Sequence, residues 1–172
     1  MKKYFILCIT LLFISHIIAS PKPPKDKSQS KIQVALLLDT SGSMNGLIEQ
    51  AKGQLWKIVN ELATSTKDGH RPQIEIALYQ YGNNGISPAK GHIEQISPLT
   101  SDLDIISEKL FRLTTDGGEE YCGKVIQTSL DELKWSKKDE DLKMIFIAGN
   151  ESFAQGPTTI KHPLSMRSKR MS

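Results

Sequence analysis

Two short runs of uninterrupted apolar residues constrain this chain more than any other feature. Lys31 to Asp39 reads KIQVALLLD, and Lys143 to Ala148 reads KMIFIA. A strand with one face in water alternates apolar and polar residues. A strand that does not alternate must be covered on both faces, as in a parallel sheet lying between helices. Between the two runs the hydrophobic period lengthens to that of a helix. Leu47, Ile48, Ala51, Leu55, Ile58, Val59 and Leu62 fall on one helical face. Leu103, Ile106, Leu110 and Leu113 form a second stripe behind a Ser101-Asp102 cap, and Val125, Ile126, Leu130 and Leu133 mark a third. Gln73 to Tyr81 alternates, with Ile74, Ile76 and Leu78 on one side, and His92 to Ile96 reads as a short edge strand. Strands alternating with helices predict an α/β fold with a mainly parallel sheet, the first and last apolar runs being the candidates for its centre.

The ends of the chain differ in character from this middle. Lys2 and Lys3 precede an apolar run from Tyr4 to Ile18, and small residues, Ala19 and Ser20, follow it. That is the pattern of a signal peptide over residues 1–20, and the run is shorter than the roughly 20 residues that span a bilayer. Pro21 disfavours a cut after Ser20, so cleavage is expected after Ala19. The chain then reads as exported, to the periplasm or the cell surface, with no membrane segment after cleavage. Residues 21–30 (PKPPKDKSQS) form a solvated linker, residues 31–155 the domain, and residues 156–172 an irregular basic tail. Loss of the leader removes Cys8 and leaves Cys122 as a free thiol, a half of an intermolecular bridge, or a cysteine lacking its partner. The net charge of +3 comes from scattered lysines and arginines until the C-terminus, which excludes a nucleic-acid-binding face.

In a parallel sheet the functional loops leave the carboxyl ends of the strands. Three loops qualify: residues 39–45, 114–123 and 149–152. The first carries Asp39-Thr40-Ser41-Gly42-Ser43. A hard divalent cation wants several oxygen ligands, and Asp39, Ser41 and Ser43 supply a carboxylate and two hydroxyls from alternate positions. Neutral hydroxyls leave such an ion under-compensated, so it would draw a carboxylate from outside. A serine ahead of a helix also serves as an N-cap for purely local reasons. Enzyme readings fare worse. Asp-Thr-Ser-Gly is superficially like the Asp-Thr-Gly loop of aspartic proteases, but Ser41 interrupts the triplet and no second loop supplies the paired carboxylate. There is no G-x-S-x-G elbow, no P-loop, no G-x-G-x-x-G and no zinc-type Cys/His spacing. His70, His92 and His162 stand in unrelated contexts as loop histidines, and Trp56 and Trp135 are read as helical residues in core packing or partial exposure.

With these stretches in hand, VALLLDTSGSM, TTDGGEEYCGKVI and KMIFIAGNES, the chain resembles the von Willebrand factor A family from Lys31 to about Gln155. The resemblance implies a Rossmann-like three-layer αβα sandwich with a mainly parallel central sheet. It also implies a divalent-cation-dependent adhesion site that holds Mg2+, or Mn2+ or Ca2+, and a protein partner whose carboxylate completes the shell, without enzymatic activity. Two of the three motifs depart from the pattern. Aligning the glycine pair places Glu120 where the family has a threonine ligand, with Thr115, Asp116 and Glu119 as rivals; helix capping is an equal account of Glu119 and Glu120. Aligning the last strand places Asn150 where the family has an aspartate. The loops GGEEYCG and IFIAGNE are similar to those of a bacterial subgroup. The expected metal set is therefore Asp39, Ser41, Ser43, Glu120, Asn150 and Asp116. The resemblance further implies a helix, a strand and a last helix beyond Gln155 that the sequence lacks, which reads as truncation or a frameshift near Gly156. The competing expectations are a metal-independent interaction or scaffold domain, and a non-functional fragment of a longer protein.

Overall fold

The computed structural model describes residues 30–66 and 69–150. The leader, nearly all of the linker, and the tail lie outside the described residues, as does any element expected after Asn150. The described elements are β1 (Lys31–Asp39), α1 (Ile48–Thr64), β2 (Gln73–Tyr81), β3 (Ile93–Thr100), α2 (Leu103–Arg112), α3 (Cys122–Glu132) and β4 (Leu142–Ala148). The sheet order is β3-β2-β1-β4. β1 runs parallel to both β2 and β4, and β3 is antiparallel to β2.

β1 is interior because it has nothing to offer water: from Ile32 to Asp39 every residue is buried. Its alternate residues feed two separate cores. Ile32, Val34, Leu36 and Leu38 pack with Leu55 and Val59 of α1 and Ile106 and Leu110 of α2. Ala35 and Leu37 point the other way, against Cys122 and Val125 of α3, with Ala77, Tyr79 and Tyr81 of β2. The result is a three-layer α/β sandwich with a mixed, mostly parallel sheet. No described helix is long and apolar enough to cross a membrane.

Several sequence expectations meet the structure in altered form. β4 was a candidate for the sheet centre, yet among the described residues it pairs with β1 alone and forms an edge; its residues from Met144 to Ala148 are only half-buried. β3 continues past Ile96 to Thr100, through Pro98. Proline removes a ladder donor, and an edge strand tolerates that loss because one side needs no partner. Trp135 lies beyond the end of α3, and its indole N–H donates to Ser129 O at 3.0 Å. His92 is buried rather than exposed, at a φ of 54°, with Nδ1 3.2 Å from Asn83 O. α2 begins as its sequence suggests: Asp102 accepts a hydrogen bond from the Ile105 N–H.

The amino ends of the strands, far from the functional loops, are tied by carboxylates. Lys31 Nζ donates to Glu75 Oε1 at 2.5 Å and Gln33 Nε2 to Glu75 Oε2 at 2.7 Å. Asp141 accepts from the Lys31 N–H at 2.9 Å and from Ser136 Oγ at 2.5 Å. The Lys31 hydrogen bond holds Glu75 below the ordinary carboxylate range, and the Ser136 hydroxyl does the same for Asp141. A carboxyl whose pKa is lower in the folded state stabilises the fold above its unfolded pKa and loses that contribution as pH falls through the folded one. Urea midpoints should therefore drop on acidification below the carboxylate range. Asp141→Asn should be less stable than the parent at neutral pH, and the difference should close in acid. A constant difference across pH would show that Asp141 acts through packing alone.

Candidate functional site

Parallel register brings the strand ends together. Asp39 closes β1 beside Tyr81 of β2, and Leu38 stands beside Ala148 of β4. The loops that leave these ends, with the loop before α3, are laced by backbone contacts. The Thr40 N–H donates to Tyr81 O at 2.8 Å, and the Asp116 N–H donates to Thr40 O at 3.0 Å. Asn83 Nδ2 reaches Thr40 O at 3.3 Å and Thr114 O at 3.1 Å.

Five of the six residues expected from the sequence converge. The Ser41 N–H donates to Asp39 Oδ1 at 2.9 Å, which orients the carboxylate. Ser41 Oγ and Ser43 Oγ lie 2.9 Å apart. Ser43 Oγ is 3.1 Å from Glu120 Oε1 and 2.9 Å from Asn150 Oδ1, and Asn150 Nδ2 donates to Ser43 O at 3.3 Å. Ser43 Oγ can accept from the Ser41 hydroxyl, but it has one proton for two acceptors, Glu120 Oε1 and Asn150 Oδ1. Glu120 is 8% exposed, and its Oε2 is buried with no hydrogen-bond partner. The sixth residue, Asp116, is exposed and is tied to the cluster by its backbone N–H. Of Glu120's rivals, Thr115 bonds to Asn45 and Glu119 to the Tyr121 hydroxyl, both outward of the cluster.

No side-chain cap hydrogen bond accounts for these contacts. α1 has Leu47 at its N-cap, the short 3-10 turn at Gly42–Met44 has no side-chain cap from Ser41, and α3 has Tyr121 at its N-cap without a side-chain bond. The serines and Glu120 are spent on one another instead.

The floor of the cluster was not foreseen. Gly82, at a φ of +79°, lies so close that a β-carbon there would be 3.0 Å from Asp39 Oδ1 and 3.1 Å from Glu120 Cγ. The two carboxylate side chains flank this glycine, which supplies both the left-handed turn and the room. The clue was available: β2 is parallel to β1, so its carboxyl-end loop, Gly82 to Gly85, belongs to the same rim. Beneath lie Tyr81 and Cys122, both buried. Burial, and then the charge of Asp39, push the Tyr81 phenol up; burial likewise pushes the Cys122 thiol up. Both stay protonated at neutral pH and form an uncharged floor. Cys122 is free and only 3% exposed, which leaves it no access to an intermolecular bridge in this conformation.

The donor set fits a hard cation in kind: every converging side-chain group is oxygen-bearing, and two are carboxylates. Among the described residues, however, no three His, Cys, Asp or Glu side chains gather to hold a metal.

No protein-family model matches the chain, and no curated protein matches it. Solved structures do. The three N-terminal domains of the type V pili tip protein Mfa5 from Porphyromonas gingivalis superpose with a TM-score of 0.51 at 19% identity, over 69% of this chain and 19% of that one. The pilus adhesin SpaC from Lactobacillus rhamnosus GG, in its open conformation, gives 0.52 at 13% identity, over 70% and 15%. The SpRpn10 VWA domain gives 0.51 at 16% identity, over 72% and 62%. The chain spans a fifth or less of the two pilus proteins' length. At such identities the likeness is one of fold, and that fold is von Willebrand factor A-like.

Proposed function

We propose that this chain is a protein-interaction module, not an enzyme, and that it meets its partner at the loops around Asp39, Ser41, Ser43, Glu120 and Asn150, with Asp116 at the rim. The observation that carries this reading is the crowding of oxygens on Ser43 at the carboxyl end of a parallel sheet. The polar groups of this cluster are gathered where a ligand arrives. Export to the periplasm or cell surface accords with the amino-terminal pattern of residues 1–20, and the pilus proteins that share the fold are adhesive or tip components by name.

Three observations bear on whether a divalent cation takes part. The buried, partnerless Glu120 Oε2 and the shortage of protons around Ser43 favour a cation, Mg2+ or else Mn2+ or Ca2+. When bound, it would supply a Lewis acid that draws an oxygen of the partner. Asp39 and Glu120 would carry the opposing charge; Ser41, Ser43 and Asn150 would fix its position. The lack of any third acidic, histidine or cysteine group beside these two, among the described residues, favours the competing form, a metal-independent scaffold.

Thermal melting of the full chain with and without millimolar Mg2+ or Mn2+, beside Asp39→Ala, separates the two. A ligand that binds only the folded state at a hundredfold excess over its Kd stabilises it by about 2.7 kcal/mol. The expected result is a rise of several degrees in the parent and none in Asp39→Ala. A cooperative melt that ignores the metal would establish the metal-independent form, and the absence of any cooperative melt would establish the fragment reading.

A further inference from the structure

Two dipeptides at the rim of the sheet carry a chemistry that needs neither a metal nor a partner. Asn45-Gly46 lies on the loop after β1, and Asn84-Gly85 on the loop after β2. All four residues are exposed. An asparagine side chain can be attacked by the backbone nitrogen of the residue that follows it, and a glycine there leaves the approach open because it has no Cβ. We propose that Asn45 is a site of spontaneous deamidation in the folded chain, and that Asn84, in the same dipeptide, is protected by its turn.

Both pairs occupy the middle of a β-turn. The Leu47 N–H donates to Met44 O at 2.9 Å, and the Ile86 N–H donates to Asn83 O at 3.0 Å. The turns differ at the attacking nitrogen. Asn45 has a φ of -53° and a ψ of 126°, and Gly46 has a φ of +83°, which are the angles of a type II turn. Nothing among the described residues accepts the Gly46 N–H, and a β-carbon at Gly46 would meet nothing within 4 Å. The peptide plane between them can therefore turn over toward the type I form while the flanking chain stays in place. One sense of that swing carries the Gly46 nitrogen past Asn45 Cγ. Gly85 lacks this freedom, because its N–H donates to Asn83 Oδ1 at 2.8 Å. Asn83 is in turn held through Nδ2 by Thr40 O and Thr114 O, so freeing the Gly85 nitrogen disturbs the neighbouring loops as well.

Water is the only co-reactant. The Gly46 nitrogen bonds to Asn45 Cγ and gives up its proton to solvent, and the side-chain nitrogen leaves as ammonia. Water then opens the cyclic imide at either carbonyl. One opening gives aspartate. The other gives isoaspartate, in which the main chain runs through the former side chain and is longer by a methylene. Either product places a new negative charge on the loop that carries Ser41 and Ser43. Asn45 Oδ1 also accepts the Thr115 hydroxyl, which clasps that loop to the one before α3. Isoaspartate displaces the accepting group and opens the clasp. The modified chain has a more acidic and looser rim on the side of Thr115 and Asp116.

Peptide mapping by mass spectrometry tests this on the full chain, incubated at neutral pH both folded and in concentrated urea. The exchange of NH2 for OH is read at each asparagine, and isoaspartate by its enzymatic methylation. In the folded chain Asn45 should convert severalfold faster than Asn84. In urea, where the Met44–Leu47 turn and the Asn83 bond are both lost, the two rates should converge. Asn45→Gln, whose longer side chain closes a ring far less readily, should lose the fast component and keep the slow one. Equal rates in the folded chain overturn the proposal, as does a faster Asn84 or an Asn45 that converts only in urea. A lead of Asn45 that persists unchanged in urea overturns it too, since the cause would then lie in the neighbouring sequence and not in the turn. The comparison of two sites within the parent chain needs no variant to fold.

Discussion

Leu36→Ala is expected to cost about 2–5 kcal/mol, the range for deleting a fully buried leucine side chain. Leu36 is 0% exposed at the middle of β1, a strand with neighbours on both edges. It sits level with Leu78 on β2 and Phe146 on β4, and its side chain packs in the core that α1 and α2 close. The loss has two parts: the leucine's transfer from water, and the cavity left because three elements hold the surrounding walls apart. A domain of this size holds only about 5–15 kcal/mol in total, so the variant stands near the edge of folding. Urea unfolding of parent and variant measures it. Leu130→Ala, at a side chain 46% exposed on α3, should stay within about 0.5 kcal/mol of the parent. A comparably small change at Leu36 would mean that β1 is not an interior strand.

Gly118→Ala should be the most damaging small change at the site. A β-carbon at Gly118 would lie 2.3 Å from Gly82 O and 2.8 Å from Gly82 C. Both are backbone atoms, so no side chain can swing aside, and the two loops must part. Overpacking of this kind costs about 1–3 kcal/mol and occasionally more. It also moves Glu120, two residues on, away from Ser43 and from Asp39 across Gly82. Loss of stability and loss of the metal-dependent melting shift should therefore arrive together. Gly53→Ala provides the opposite sign: nothing lies within 4 Å of its β-carbon, in the interior of α1. Alanine there should stabilise by about 0.5–1 kcal/mol. Equal melting of the Gly118→Ala variant and the parent would mean that the loops before α3 and after β2 do not touch in solution.

Much of the fold was legible because hydrophobic periodicity is local. β2 spans the residues its alternation marked, α2 starts at its aspartate cap, and β1 is interior because it carries no face that water could occupy. Asp39, Ser41 and Ser43 were legible for a related reason: they are alternate residues on one short loop, so covalent geometry alone keeps them close. The partners of that loop, Glu120 and Asn150, came only from alignment with the family pattern, not from their own spacing. Glu120 could not be told from Thr115, Asp116 or Glu119 by alignment of glycines, since the direction of each side chain depends on how that loop seats on Gly82 and Asn83.

What the sequence determined by itself is thus the layered α/β architecture and one half of the site, where the controlling distances run along the chain. What only the tertiary structure decided is the other half: which carboxylate turns inward, where Asn150 meets Ser43, and that Gly82 forms the wall between Asp39 and Glu120. Ser43 is 77 residues from Glu120 and 107 from Asn150. Contacts of that separation are set by strand register and loop packing, and neither leaves a period or spacing in the sequence to read.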